Sequence, residues 1–194
     1  MSIETEARHA PSGVDGMPPV VLGIVLFICS EAVFFSALFA GWFTARSRSP
    51  QWPPSGIHVN PTLGAIAAGL LILSSITVSL ARNLIRRGDV PGMQSLMWAA
   101  VIVALVAVAG QGLDLSGLSF GVHTNGFGTI YWMTSIIDSA HIFGAAIFGL
   151  IVIGRARAGG IQRSNHDLLT AAVIFWHFVV GLSIFTFLVL EVVA

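Results

Sequence analysis

The amino-acid sequence predicts an all-α integral membrane protein, a bundle of five transmembrane helices with its N-terminus in the cytoplasm and its C-terminus outside. Three observations predict it. Of 194 residues, 55% are hydrophobic and only 9% are charged, where a soluble domain carries about a quarter of its residues as Asp, Glu, Lys or Arg. Five apolar runs are each long enough to cross a bilayer, which takes about 20 residues of helix. None of the five alternates apolar and polar residues at period two, which argues against a membrane β-barrel. A water-soluble enzyme is excluded at this step. Nine arginines balance nine acids with no lysine, so no net charge recruits nucleic acid. A single cysteine, Cys29, excludes an internal disulfide and any CxxC metal or redox pair.

The runs follow in order. Residues 1–17 form a polar cytoplasmic tail, and 18–194 a five-helix transmembrane domain. The first span, 19–43, follows a leader holding Glu4, Glu6 and Asp15 against Arg8. Those acids, and an apolar stretch longer than the roughly 7–15 residues of a secretory signal, argue against a cleaved leader. The second span, 62–82, has Ala65 and Gly69 four residues apart, then Ser74, Ser75, Thr77 and Ser79, whose hydroxyls can bond their own helix or a neighbour. The third, 95–115, has Ala100 and Ala104 and ends on Gln111 and Asp114. The fourth, 129–153, has Ala145 and Gly149, and the fifth, 168–193, carries His177 after Trp176. Lipid gives helices no hydrophobic reason to associate, so small residues at four-residue spacing mark expected close contacts. Trp42, Trp52, Trp98 and Trp132 lie near span ends and read as interfacial anchors. Orientation follows from the arginines. Arg8, Arg82, Arg86, Arg87, Arg155, Arg157 and Arg163 fall on the side of the N-terminus and only Arg46 and Arg48 on the other. The positive side faces the cytoplasm.

The informative residues are ionisable ones at membrane depth. Glu31 sits about 18 Å of helix from either end of its span. A charge there costs at least about 2.5–3.5 kcal/mol, so the carboxyl is either protonated or paired inside protein. Phe27, Phe34, Phe35 and Leu38 share its helical face. Two readings stand: a carboxyl that handles protons or binds head groups, or a neutral acid hydrogen-bonded to a facing helix. Asp138 and His141, three residues apart near the midplane, can share a proton, receive one from Glu31, or satisfy each other. Local satisfaction is the simplest expectation, since an adjacent acid and imidazole need no outside partner. His177 is a third candidate, and Gln111 with Asp114 a secondary pair whose place near a span end favours a structural role. His141 and His177 on separate helices are the minimum for an axial haem pair. His9, His58, His123 and His166 lie in loops and show no metal-ligand spacing.

These residues form a recognisable set. Leu26-Phe27-Ile28-Cys29-Ser30-Glu31-Ala32-Val33-Phe34-Phe35 resembles the Ser-Glu-x-x-Phe-Phe segment of subunit III of haem–copper terminal oxidases, in its short form with five helices instead of seven. Asn60-Pro61-Thr62-Leu63-Gly64 and Leu73-Ser74-Ser75 resemble the start and middle of the next family helix. Gln111-Gly112-Leu113-Asp114 resembles a Gln-x-x-Glu, with Asp for Glu. Phe127-Gly128-Thr129-Ile130-Tyr131-Trp132-Met133-Thr134, leading to His141, resembles the Phe-Gly-x-x-Tyr…Thr-Gly-x-His-Gly-x-His segment. Trp176-His177-Phe178-Val179 resembles the Trp-His-Phe-Val of the last helix. The likeness runs through about residues 20–194 in the family's order. The sequence departs from the pattern in three places. Asp138 stands for the first histidine of His-Gly-x-His, Ser139 for the glycine after it, and Val180 for the aspartate that follows Trp-His-Phe-Val.

The resemblance implies an accessory, non-redox subunit of a cytochrome c oxidase in the inner (plasma) membrane. Such a subunit packs on the catalytic subunit I near subunit II, binds membrane phospholipid and supports proton uptake and active-site durability. Haem and copper would belong to the partners and none to this chain, with Glu31, Asp138, His141 and His177 as its membrane-embedded polar network. The homologous subunits of nitric oxide reductase and of quinol oxidase are the alternatives within the family. From another class, a haem b membrane anchor of a quinone-linked complex would use His141 and His177.

Overall fold

The computed structural model describes residues 16–193, so Glu4, Glu6, Arg8, His9 and Asp15 lie outside the described residues. Five helices follow in order: α1 (Pro19–Ser47), α2 (Thr62–Arg86), α3 (Val90–Gly117), α4 (Gly126–Arg157) and α5 (Asp167–Phe187), the last running on into one π turn, Leu188–Val192. All five are long and apolar enough to cross a membrane. Among the described residues the single strand-like feature is an isolated bridge between Gln162 and Asn165. The chain is thus a multi-pass membrane protein whose described residues form helices and the loops between them.

Helices α1 to α4 outrun the expected spans by about a turn at one end or both, while α5 with its π turn stays within one residue of its span. Pro19 and Pro91 sit at first helical positions, where a missing N–H costs nothing. The Asp89 carboxylate accepts from Gly92 N at 2.9 Å to open α3, and the Asn125 side chain accepts from Gly128 N at 2.8 Å to open α4. Gly88 (φ 84°) and Gly159 (φ 76°) take the left-handed backbone just past the ends of α2 and α4. Arg86, Arg155 and Arg157 occupy those last turns, where cations suit the helix dipole. At about 1.5 Å per residue, even the shortest of these helices clears a hydrocarbon core of about 30 Å.

Neighbours along the chain pack antiparallel: α2 with α3, α3 with α4, α4 with α5, and α5 closes on α2. Their common core includes Leu71, Val78, Met97, Ala104, Ile142 and Trp176. Small residues set the closest approach. Ala100, Ala104, Ala145 and Gly149 are buried as expected from their spacing. Ala65 and Gly69, however, face outward, and α2 presents Gly64, Ala67 and Leu71 inward instead. Four-residue spacing exists on every face of a helix, so it marks a contact only where a partner lies opposite.

Helix α1 stands apart. It leans chiefly on α5 and α4, and only Val21, Phe35, Phe39 and Trp42 are buried. Leu26 is 62% and Val33 72% exposed. At the end of the bundle where α1 leaves and α4 enters, a second cluster gathers Phe35, Phe39, Trp42, Phe120, Phe127 and Tyr131. Trp42, expected as an interfacial anchor, is fully buried in it, edge-on to Trp52 at 4.9 Å and beside Phe127 at 5.1 Å. The reason is the loop after α1, which folds Trp52 back over the helix end. Trp132 donates its indole N–H to the Phe120 carbonyl at 2.9 Å. Trp98 is 36% exposed and has the Arg157 guanidinium over its ring at 5.6 Å.

Candidate functional site

Glu31 projects from the middle of α1 toward α4, where its Oε2 lies 3.0 Å from His141 Nε2. Both side chains are mostly covered, with 18% of the glutamate and 16% of the histidine exposed. The second imidazole nitrogen, Nδ1, is 2.8 Å from the carbonyl of Ile137 one turn earlier. A carbonyl can only accept, so Nδ1 carries a hydrogen. Nε2 then either accepts from a neutral carboxyl or donates to a carboxylate. Each form places one proton between the two groups and leaves the pair with no net charge, which is how an acid and a base reside together in hydrocarbon. The Phe35 ring packs edge-on to the imidazole at 5.1 Å and shields it.

Asp138, three residues before His141, takes different partners. It is 1% exposed. Its Oδ1 accepts from Ser183 Oγ of α5 at 2.8 Å, and its Oδ2 from Gln111 Nε2 of α3 at 3.3 Å. Gln111 Oε1 in turn accepts from Ser139 Oγ at 2.8 Å. The expected local pairing of Asp138 with His141 is therefore replaced by bonds to three other helices. Both residues sit where three helices converge, and interhelical donors outcompete a neighbour on the same helix. Gln111 likewise turns toward α4 instead of forming a unit with Asp114.

His177 belongs to a separate group on α2 and α5. Its Nδ1 lies 2.6 Å from Ser75 Oγ and its Nε2 3.0 Å from Ser79 Oγ. Ser79 Oγ already donates to the Ser75 carbonyl at 3.0 Å, so it accepts from Nε2–H, and Ser75 donates to Nδ1. The neighbouring Trp176 gives its indole N–H to Ser74 Oγ at 3.0 Å, and Ser74 donates to the Leu71 carbonyl at 2.7 Å. Trp176-His177 and Ser74-Ser75 thus meet residue by residue across one helix pair.

A haem held between His141 and His177 does not fit this arrangement. All four imidazole nitrogens have oxygen partners at 3.0 Å or less, so neither ring offers an uncommitted lone pair to iron. Among the described residues, no group of three or more His, Cys, Asp or Glu side chains could hold a metal ion. One part-buried acid escaped the sequence reading. Glu191, in the closing π turn, brings its carboxyl against Gly64 of α2, in the space a side chain there would fill. Its Oε2 is buried with no partner in the protein. A carboxylate two residues from a span end reads as one that water solvates, and only the packing of α5 on α2 reveals otherwise.

Comparison with known proteins agrees with these features. The family model described as Cytochrome c oxidase subunit III matches residues 3–193. Cytochrome c oxidase subunit 3 of Thermostichus vulcanus is 32% identical over 87% of this chain and 85% of its own length. The protein of the same name from Synechocystis sp. is 29% identical over 92% of this chain and 79% of its own. The Neurospora crassa protein is 30% identical over 81% of this chain but only 61% of its own length, so the chain spans about three-fifths of that fungal relative. The chain belongs to the cytochrome c oxidase subunit III family and is an accessory subunit in a haem–copper oxidase complex.

Proposed function

We propose that the chain is the structural and proton-supporting subunit of an oxygen-reducing, proton-pumping cytochrome c oxidase in the plasma membrane, with its N-terminus in the cytoplasm. The observation that carries the reading is the Glu31–His141 pair, one proton shared at 3.0 Å near the middle of a peripheral helix. Such a pair can pass its proton between carboxyl and imidazole without creating net charge in lipid. The exposed face of α1, with Leu26 and Val33, suits burial against the catalytic subunit I or the acyl chains of phospholipid. Its membrane-embedded polar groups are Glu31 with His141, Asp138 with Gln111 and Ser183, and His177 with Ser75 and Ser79, while haem and copper reside in subunits I and II.

Copurification of the tagged full chain in mild detergent tests the assignment. The expected partners, identified by mass, are the catalytic and electron-entry subunits of a complex that oxidises cytochrome c and reduces oxygen. A complex that reduces nitric oxide and not oxygen, or one fed only by quinol, would overturn it. The proton on the pair has its own test. A hydrophobic carbodiimide, which reacts with protonated carboxyls, should label Glu31, and Glu31→Gln should abolish the label while the complex still assembles. Loss of the whole complex in Glu31→Gln would make the carboxyl architectural.

A further inference from the structure

Beyond the Glu31–His141 pair, the bundle holds a second polar space, bordered by Asp138 and Gln111 on the side away from Glu31. A cavity of about 30 Å³ lies among α2, α3, α4 and α5, walled by Gln111, Asp114, Tyr131, Asp138, Thr186 and Glu191. A cavity needs roughly 10–15 Å³ to hold a water, together with two to four polar partners, so this one has room for one or two. Its polar atoms also require them. Thr186 is 5% exposed and its Oγ1 has no hydrogen-bond partner within the protein. Glu191 Oε2 is equally unpartnered. Burying such groups with nothing to bond costs about 1–3 kcal/mol each, and no other described side chain is placed to relieve them. Gly64 contributes by absence, because a β-carbon there would displace the Glu191 carboxyl from the wall.

We propose that this cavity is a hydrated proton-holding site in which ordered water joins Glu191 and Thr186 to Asp138. Asp138 receives two donors, Ser183 and Gln111, and Glu191 receives none, so the single proton rests on Glu191 and the water donates toward Asp138. Exchange along this chain is balanced. The Glu191 O–H bond breaks as its proton joins the water oxygen, and one of that water's protons forms an O–H bond on Asp138, so total charge is unchanged. Asp114 and Tyr131 are the other titratable groups on the wall, and His141 lies one turn along α4 but is committed to Glu31. The site is independent of the Glu31–His141 pair, and its failure would leave the reading above untouched.

Infrared spectroscopy of the full chain tests it, with H2O, D2O and H2 18O as the probes. One protonated carboxyl C=O band should vanish in Glu191→Gln but persist in Glu31→Gln, and shift on exposure to D2O as fast as mixing allows. A water O–H band should shift in H2 18O and disappear in Thr186→Val, which keeps the shape and removes one of the water's partners. No band lost in Glu191→Gln, a Glu191 band that deuterium does not move, or a water band indifferent to Thr186→Val would each overturn the proposal. The isotope shifts are read on the unmodified chain, so the test survives if a variant fails to fold. Thermal denaturation gives a further check of opposite sign for the two cases. The melting midpoint of Thr186→Val should fall if the cavity is wet, and a midpoint equal to or above that of the unmodified chain would mean a dry one.

Discussion

Asp138→Leu is expected to be the most damaging single change in the polar interior. The substitution removes the acceptor for Ser183 Oγ and Gln111 Nε2 in the interior of the bundle. A stranded buried donor costs roughly 1–3 kcal/mol in water-soluble proteins, whereas interhelical polar bonds in a membrane average nearer about 0.6 kcal/mol because the loosened helices find other partners. Two donors between these limits give a loss on the order of 1–4 kcal/mol. Ser183 can turn back to its own helix and Gln111 keeps Ser139, which holds the estimate below the upper end. Asp138→Asn retains an acceptor oxygen and should lose less than half as much. Thermal unfolding in detergent, followed by circular dichroism, measures both. Equal midpoints for the leucine variant and the unmodified chain would show that these bonds hold nothing together.

Gly149→Leu is the second large effect, and its cause is steric. A β-carbon at Gly149 would stand 2.7 Å from Val101 Cγ2 and 3.1 Å from the Trp176 ring, and leucine adds three more carbons beyond it. Overpacking of a filled core costs about 1–3 kcal/mol. The strain falls where α3, α4 and α5 meet, so it also shifts the indole that donates to Ser74. Gly144→Leu makes the control: no atom lies within 4 Å of a β-carbon built there, and it should unfold with the unmodified chain. If both variants melt alike, the three helices do not meet closely at Gly149.

Much of the fold was legible in the sequence because hydrocarbon imposes a strict rule on length and polarity. The starts of α1 and α2 fall at residues 19 and 62, where the apolar runs begin. The starts of α3 and α4 lie a few residues further out because caps at Asp89 and Asn125 carry helix into the polar zone, which hydropathy alone does not register. What depended on neighbouring helices was harder to read. Trp42 near a span end resembled an anchor until the loop after α1 covered it with Trp52. Asp138 and His141 looked self-sufficient because sequence spacing shows only partners on one helix, whereas Gln111, Ser183 and Glu31 lie 27, 45 and 110 residues away from them along the chain. Ser74 and Ser75 were read as hydroxyls that could bond either way, and they do both, with Trp176 and His177 as the cross-helix partners. Glu191 escaped notice because proximity to a span end implied solvation.

The sparse seating of α1 has a consequence for how the oxidase complex could sense its own integrity. Four buried side chains anchor this helix, yet it carries one half of a two-residue acid–base couple. Sliding α1 by a single residue would move Glu31 by about 1.5 Å, half the present separation from His141, and would cost the couple its bond. The docked position of a helix and the occupancy of one hydrogen ion are then two readings of a single equilibrium. Anything that lifts the helix must also disturb the proton, and anything that strips the proton must loosen the helix.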